Sequence, residues 1–151
     1  MSRSVHSRSS VALVLGLRIA GAALLAGTAW IHQHLWSAGY DGIPWIGPLF
    51  LVNAVSGFLL AAAVLAAPRR LLFWPAGAGA LLEAGTLGAL ALSSTVGLFG
   101  FVESSAASLF WPSVAVEAAG AVLLAALAVV CRPVRRAAEH DAWTEPLRTR
   151  G

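Results

Sequence analysis

The sequence predicts an all-α fold, a four-transmembrane-helix bundle that occupies most of the chain. Three observations predict it. The 151 residues are 58% hydrophobic and only 11% charged, against about a quarter charged in soluble domains. The apolar residues fall into four runs, each near the roughly 20 residues that a bilayer core of about 30 Å requires. Each run also carries one strongly polar residue in its interior, Arg18, Asn53, Glu83 and Glu117, with Gly, Ala or Ser a helical turn away. Such groups cost roughly 2.5–3.5 kcal/mol at membrane depth, so they face one another or a wet cavity rather than lipid.

Residues 1–10 read as a cytoplasmic N-terminal segment, 11–131 as the membrane domain and 132–151 as a charged cytoplasmic tail too short for a core of its own. The first span is expected at 11–31. Its apolar region exceeds the roughly 7–15 residues of a secretory signal, so it is expected to stay in place. The second starts near Pro48 and ends before Pro68, because proline lacks the N–H that a first helical turn leaves unbonded and a helix interior needs. The third opens around Pro75 and runs to Ser93-Ser94-Thr95, and the fourth opens at Pro112 and stops at Cys131. Residues 32–47 and the apolar string around 97–103 form the outer loops. The second of these is too apolar for a free tether, and it is expected to lie on the bilayer or to cap the bundle mouth.

All ten basic residues are arginines, and nine of them fall on one side of a four-span arrangement, with Arg18 the exception. The excess of positive charge on that side puts both termini in the cytoplasm and the protein in the inner, or plasma, membrane. The basic balance is therefore a topology signal and not a nucleic-acid surface. Trp30, Trp36, Trp45 and Trp111 at the outer interface and Trp74 at the inner one fit the same frame, since indole rings favour the headgroup level.

A shift of 64 residues lays the second span on the fourth: Pro48 on Pro112, Asn53 on Glu117, and Leu59-Leu60-Ala61-Ala62 on Leu123-Leu124-Ala125-Ala126. A tandem two-helix repeat would make Arg18 face Glu83 and Asn53 face Glu117. The competing expectation for Arg18 is that its long side chain snorkels to the inner headgroups.

These four polar positions are the ligand or proton-coupling candidates, Glu83 above all, since a carboxylate at that depth is the group a proton-coupled site needs. His32, His34, Asp41 and Glu103 are the candidates at the outer mouth. On a helix His32 and His34 point about 200° apart and cannot chelate one ion, so no metal is assigned. A single cysteine excludes C-x-x-C chemistry. His6 and His140 lie in the tails and His32 and His34 share one segment, which leaves no facing pair for haem. No phosphate loop, H-E-x-x-H or G-x-S-x-G motif is present, and no cofactor or catalytic residue is assigned.

The string Gly39-Tyr40-Asp41-Gly42-Ile43-Pro44-Trp45-Ile46-Gly47-Pro48-Leu49-Phe50-Leu51-Val52-Asn53, with Gly97-Leu98-Phe99-Gly100-Phe101-Val102-Glu103-Ser104, resembles small, uncharacterised four-span membrane proteins of high-GC bacteria. Arg18 followed by small residues is similar to the first helix of the DoxX-like group, four-span proteins sometimes linked to respiratory redox chemistry. The resemblance implies four helices and no particular activity. The leading expectation is a non-enzymatic accessory, scaffold or ligand-binding unit. Its partners are the lipid bilayer and a homodimer or larger membrane complex, the Gly-rich third helix offering a surface. The alternatives are a small proton-coupled transporter or permease-like unit and, more weakly, a redox or quinone-associated membrane enzyme.

Overall fold

The computed structural model describes residues 2–133, with side chains from residue 11 onward. Four helices make up the architecture: α1 (Ser2–Ser37), α2 (Ile46–Ala66), α3 (Phe73–Thr95) and α4 (Phe110–Val130). Each contains a stretch long and apolar enough to cross a membrane, and among the described residues there is no β-strand. Pro48, Pro75 and Pro112 each stand third in their helix, inside the first turn, where backbone N–H groups have no intrahelical partner to lose.

α1 differs most from expectation. It begins at Ser2 and continues through His32 and His34 to Ser37, so the loop that follows starts at Ala38 rather than at 32. No proline or glycine interrupts 28–38, and just past the helix end Gly39 turns the chain with a φ of 122° that favours glycine. The cytoplasmic placement of Arg135, Arg136, His140, Arg148 and Arg150 lies outside the described residues.

The helices form a closed ring. α1 packs extensively on α2 and on α4, α3 packs on α4, and the diagonal from α1 to α3 is slight. The α2–α3 seam is the loosest of the four sides. Small residues set the close approaches, as is usual where lipid supplies no hydrophobic drive between helices. Gly57 of α2 lies against Ala29 and the Leu25 carbonyl of α1, Gly79 of α3 against Leu25 and Leu124, and Gly120 of α4 against the Glu83 side chain. Gly77, Gly85 and Gly88 of α3, by contrast, have open space where a Cβ would sit.

The two ends of the bundle differ in kind. At the terminal end, where α1 begins and α2 turns into α3, Leu25, Val64, Leu72, Ala76, Leu124 and Leu127 are fully buried in one dry apolar core. At the loop end, where residues 38–45 and 96–109 connect the helices, Ile31 and Ile46 are joined by the buried polar groups His32, Asn53, Ser93 and Ser113. Glu83 and Glu117 lie between the two zones, 0% and 1% exposed.

Candidate functional site

Glu83 reaches from α3 across the bundle. Its Oε2 accepts a hydrogen bond from the Thr28 hydroxyl of α1 at 2.9 Å, and its carboxyl carbon lies 2.9 Å from where a Cβ on Gly120 would sit. The absence of that Cβ is what lets the side chain lie against α4. Glu117 stands one turn before Gly120 on the same helix and is buried on the side where Glu83 packs against that glycine. The two carboxyl groups therefore belong to one buried cluster, and among the described residues no salt bridge neutralises either. Glu83 Oε1 and Glu117 Oε2 are buried with no hydrogen-bond partner. Two carboxylates side by side at membrane depth cannot both stay ionised alone, so the arrangement calls for a proton or a cation.

The pairings expected from a tandem repeat are not those formed. Arg18 does not meet Glu83: its Nε donates to the Val64 carbonyl at 2.7 Å and its Nη2 to the Ala67 carbonyl. The Val64 carbonyl would ordinarily accept from residue 68, which is Pro68 and has no N–H to give. Arg18 supplies the missing donor. Thr28, which does meet Glu83, lies ten residues further along α1, about 15 Å at 1.5 Å per residue. Asn53 likewise turns to α3 and not to Glu117. Its Nδ2 donates to Thr86 Oγ1 at 2.6 Å, and the Thr86 hydroxyl donates to the Leu82 carbonyl at 2.8 Å. Because that hydroxyl proton is already engaged, the amide must present its NH2 to Thr86, which leaves Asn53 Oδ1 without a partner.

Above the carboxylates, at the loop end, is a cavity of about 380 Å³ lined by His32, Tyr40, Phe50, Phe101 and Glu103, among others, with Glu117 in its wall. Small-molecule sites span roughly 300–1,000 Å³, so it has room for a ligand. His32 Nδ1 donates to the Thr28 carbonyl at 2.9 Å, so in the neutral imidazole Nε2 is an acceptor. The loops close over the cavity through Tyr40, whose hydroxyl donates to Glu103 Oε2 at 2.9 Å. Its ring stacks on Phe50 at 5.0 Å and meets Phe101 edge-on at 5.7 Å. The string 97–103 is thus a cap, folded by a tight turn in which Leu98 and Phe101 exchange backbone hydrogen bonds around Phe99 and Gly100, both with positive φ.

The outer-mouth candidates divide. His32 and Glu103 line the cavity, whereas His34 is exposed and stacked on Trp30 at 5.2 Å and Asp41 is exposed on its turn. No three His, Cys, Asp or Glu side chains converge to hold a metal ion among the described residues. Sequence reasoning missed Thr28 as the partner of Glu83 and Tyr40 as the bond between the loops. Thr28 carried a signal, since it shares a helical face with His32 four residues on. Tyr40 carried none, because its partner is 63 residues away.

Tyr40 is the only tyrosine, so absorbance at alkaline pH reads the cap directly. Partial burial, then the hydrogen bond and the negative charge of Glu103, push its phenol up to about 12 from an ordinary 10.0. A phenol raised in the folded state contributes stability below its unfolded value and loses it as pH rises through the folded one. The cap bond is expected to be intact at neutral pH and to break as the phenol ionises near pH 12, the stability it contributes declining from about pH 10 upward. Glu103→Gln should move the tyrosinate midpoint down towards 10.0; an unchanged midpoint would show that the two loops are not joined there.

Compared with known proteins, the chain matches no protein-family model, no curated protein and no solved structure.

Proposed function

We propose that this multi-pass membrane protein is a non-enzymatic binding unit that holds a small ligand in its loop-end cavity, acting alone or as an accessory within a membrane complex. The observation that carries the reading is the cavity itself: about 380 Å³, capped by the Tyr40–Glu103 bond, with the partnerless buried Glu117 in its wall. A fully buried carboxylate at membrane depth is a standing cost. A ligand that bonds to it offsets that cost, which gives the residue a reason to be there. The arginine asymmetry supports a loop end facing out of the cytoplasm across the plasma membrane.

A second reading, proton-coupled transport, draws support from the Glu83–Glu117 cluster. Against it stands the dry core of Leu25, Leu124 and Leu127 between the cavity and the terminal end, which offers no polar path for a substrate. Native mass spectrometry of protein gently extracted from its own host's membranes tests both readings. A defined small molecule retained by wild type and lost from Glu117→Gln is the expected result. A chain that carries no small molecule from its own membrane would overturn the binding reading, and substrate uptake by proteoliposomes driven by a proton gradient and abolished by Glu83→Gln would favour transport.

A further inference from the structure

A second cavity of about 300 Å³ lies on the α2–α3 side, walled by Leu49, Val52 and Asn53 of α2 and by Leu81, Gly85 and Thr86 of α3. It shares His32, Ile46, Phe50, Thr86, Ala89 and Leu98 with the capped cavity. The two cavities adjoin along these residues. The second opens through the loosest side of the ring, among residues that face lipid: Leu49, Val52 and Leu81 are 47%, 61% and 76% exposed. Tyr40, Phe101 and Glu103 meanwhile close the loop end. The second cavity is thus accessible sideways, from the bilayer.

The chemistry of the two compartments differs. The lateral one is almost wholly apolar, with Asn53 and Thr86 at its inner edge. The capped one ends on Glu117, and the partnerless buried atoms along the two, Asn53 Oδ1 and Glu117 Oε2, are acceptors, as is His32 Nε2 in the neutral ring. Against these acceptors the buried wall offers the Ser113 hydroxyl, which bonds either way, and the second N–H of the Asn53 amide. A ligand head that donates hydrogen bonds matches the unpartnered acceptors, and a cationic one takes the place of the proton that the buried carboxylate otherwise calls for. Tyr40, Phe50 and Phe101 add ring faces of the kind that attract ammonium groups.

Resting on the ligand-binding reading above, we propose that the ligand is a single-chain membrane amphiphile with an ammonium head. It is admitted between α2 and α3, with its head against Glu117 and its chain in the lateral groove.

Gly85 supplies the test, because it lines the groove yet is exposed and has nothing within 4 Å of where a Cβ would sit. Gly85→Phe should fill the passage without disturbing the fold, and Gly88→Phe, equally open but lining neither cavity, is its control. Purified full-length protein would be titrated by native mass spectrometry with dodecylamine and with dodecanoate, and helix content checked by circular dichroism. Dodecylamine is expected to be retained about tenfold more tightly than dodecanoate, a preference lost in Glu117→Gln. Gly85→Phe should weaken its retention by about tenfold or more, with Gly88→Phe like wild type. Equal retention of the two chains, or an unaffected Gly85→Phe protein, overturns the proposal. If the native extract nevertheless holds a polar molecule with no alkyl chain, the binding reading survives and only the lateral, amphiphile assignment fails; if no small molecule is retained from either source, both fail.

Discussion

Replacing Arg18 with methionine is expected to destabilise the protein by about 3 kcal/mol, since a hydrogen bond from a charged group contributes roughly 1.5–3 kcal/mol and Arg18 donates two. The same loss is expected when Gln stands at position 83. An ion pair between Arg18 and Glu83 would make the two substitutions compensate. The geometry instead puts the Arg18 guanidinium on carbonyls at the end of α2, about 15 Å along α1 from the level of Thr28 and Glu83. Sites that far apart with no shared partner are additive within about 0.5 kcal/mol. Glu83→Gln by itself keeps an oxygen to accept from Thr28 and removes a carboxylate that lacks a cation, so its own effect is expected to be small. Unfolding in sodium dodecyl sulfate, followed by circular dichroism, measures all four proteins of the cycle. A coupling above about 1 kcal/mol would return Arg18 to Glu83 and overturn this account.

Gly57→Ala and Gly88→Ala are expected to move stability in opposite directions, although each adds one methyl group to a glycine within a helix. At Gly57 the new Cβ falls 2.9 Å from the Ala29 Cβ and 3.2 Å from the Leu25 carbonyl oxygen. Backbone and a Cβ cannot step aside as a long side chain can, so α1 and α2 must separate, at a cost of about 1–3 kcal/mol. The displacement also loosens the 4.8 Å contact between His32 and Phe50 in the cavity wall. At Gly88 nothing lies within 4 Å, and the gain in helix propensity, about 0.5–1 kcal/mol, is unopposed. The same unfolding measurement reads both. A Gly57→Ala protein as stable as wild type would mean that the first two helices do not meet at this glycine.

Much of the bundle was legible in the sequence, for reasons local to each segment. Four apolar runs give four helices because a chain in lipid must bond its own backbone. Pro48, Pro75 and Pro112 mark three helix starts to within two residues, because a first turn is where a missing N–H costs least. The C-terminal limit of α1 was harder to read. His32, Gln33 and His34 look like loop by polarity, yet Gly39 is the first residue past them that breaks the helix. The candidate site was half legible. Glu83 and Glu117 could be named from the cost of a carboxylate in an apolar run, but their sharing one cluster depends on Gly120 making room for Glu83. That fact joins two helices and is written in neither.

The sequence by itself determined the all-α class, the four spans and the polar positions that have to be accommodated, because hydropathy and proline chemistry act over a turn or two of helix. Only the tertiary structure decided the partners of those positions. Arg18 serves the carbonyl that Pro68 leaves unbonded, Thr28 serves Glu83, and Asn53 serves Thr86. Tyr40 and Glu103 close the loops across 63 residues, and the loose α2–α3 side opens the second cavity sideways. The physical reason is that periodicity gives the face on which a side chain lies, whereas its partner depends on how far each helix has advanced through the bundle. That advance is set by small residues packing between helices, Gly57 against Ala29 and Gly120 against Glu83, and no single segment records it.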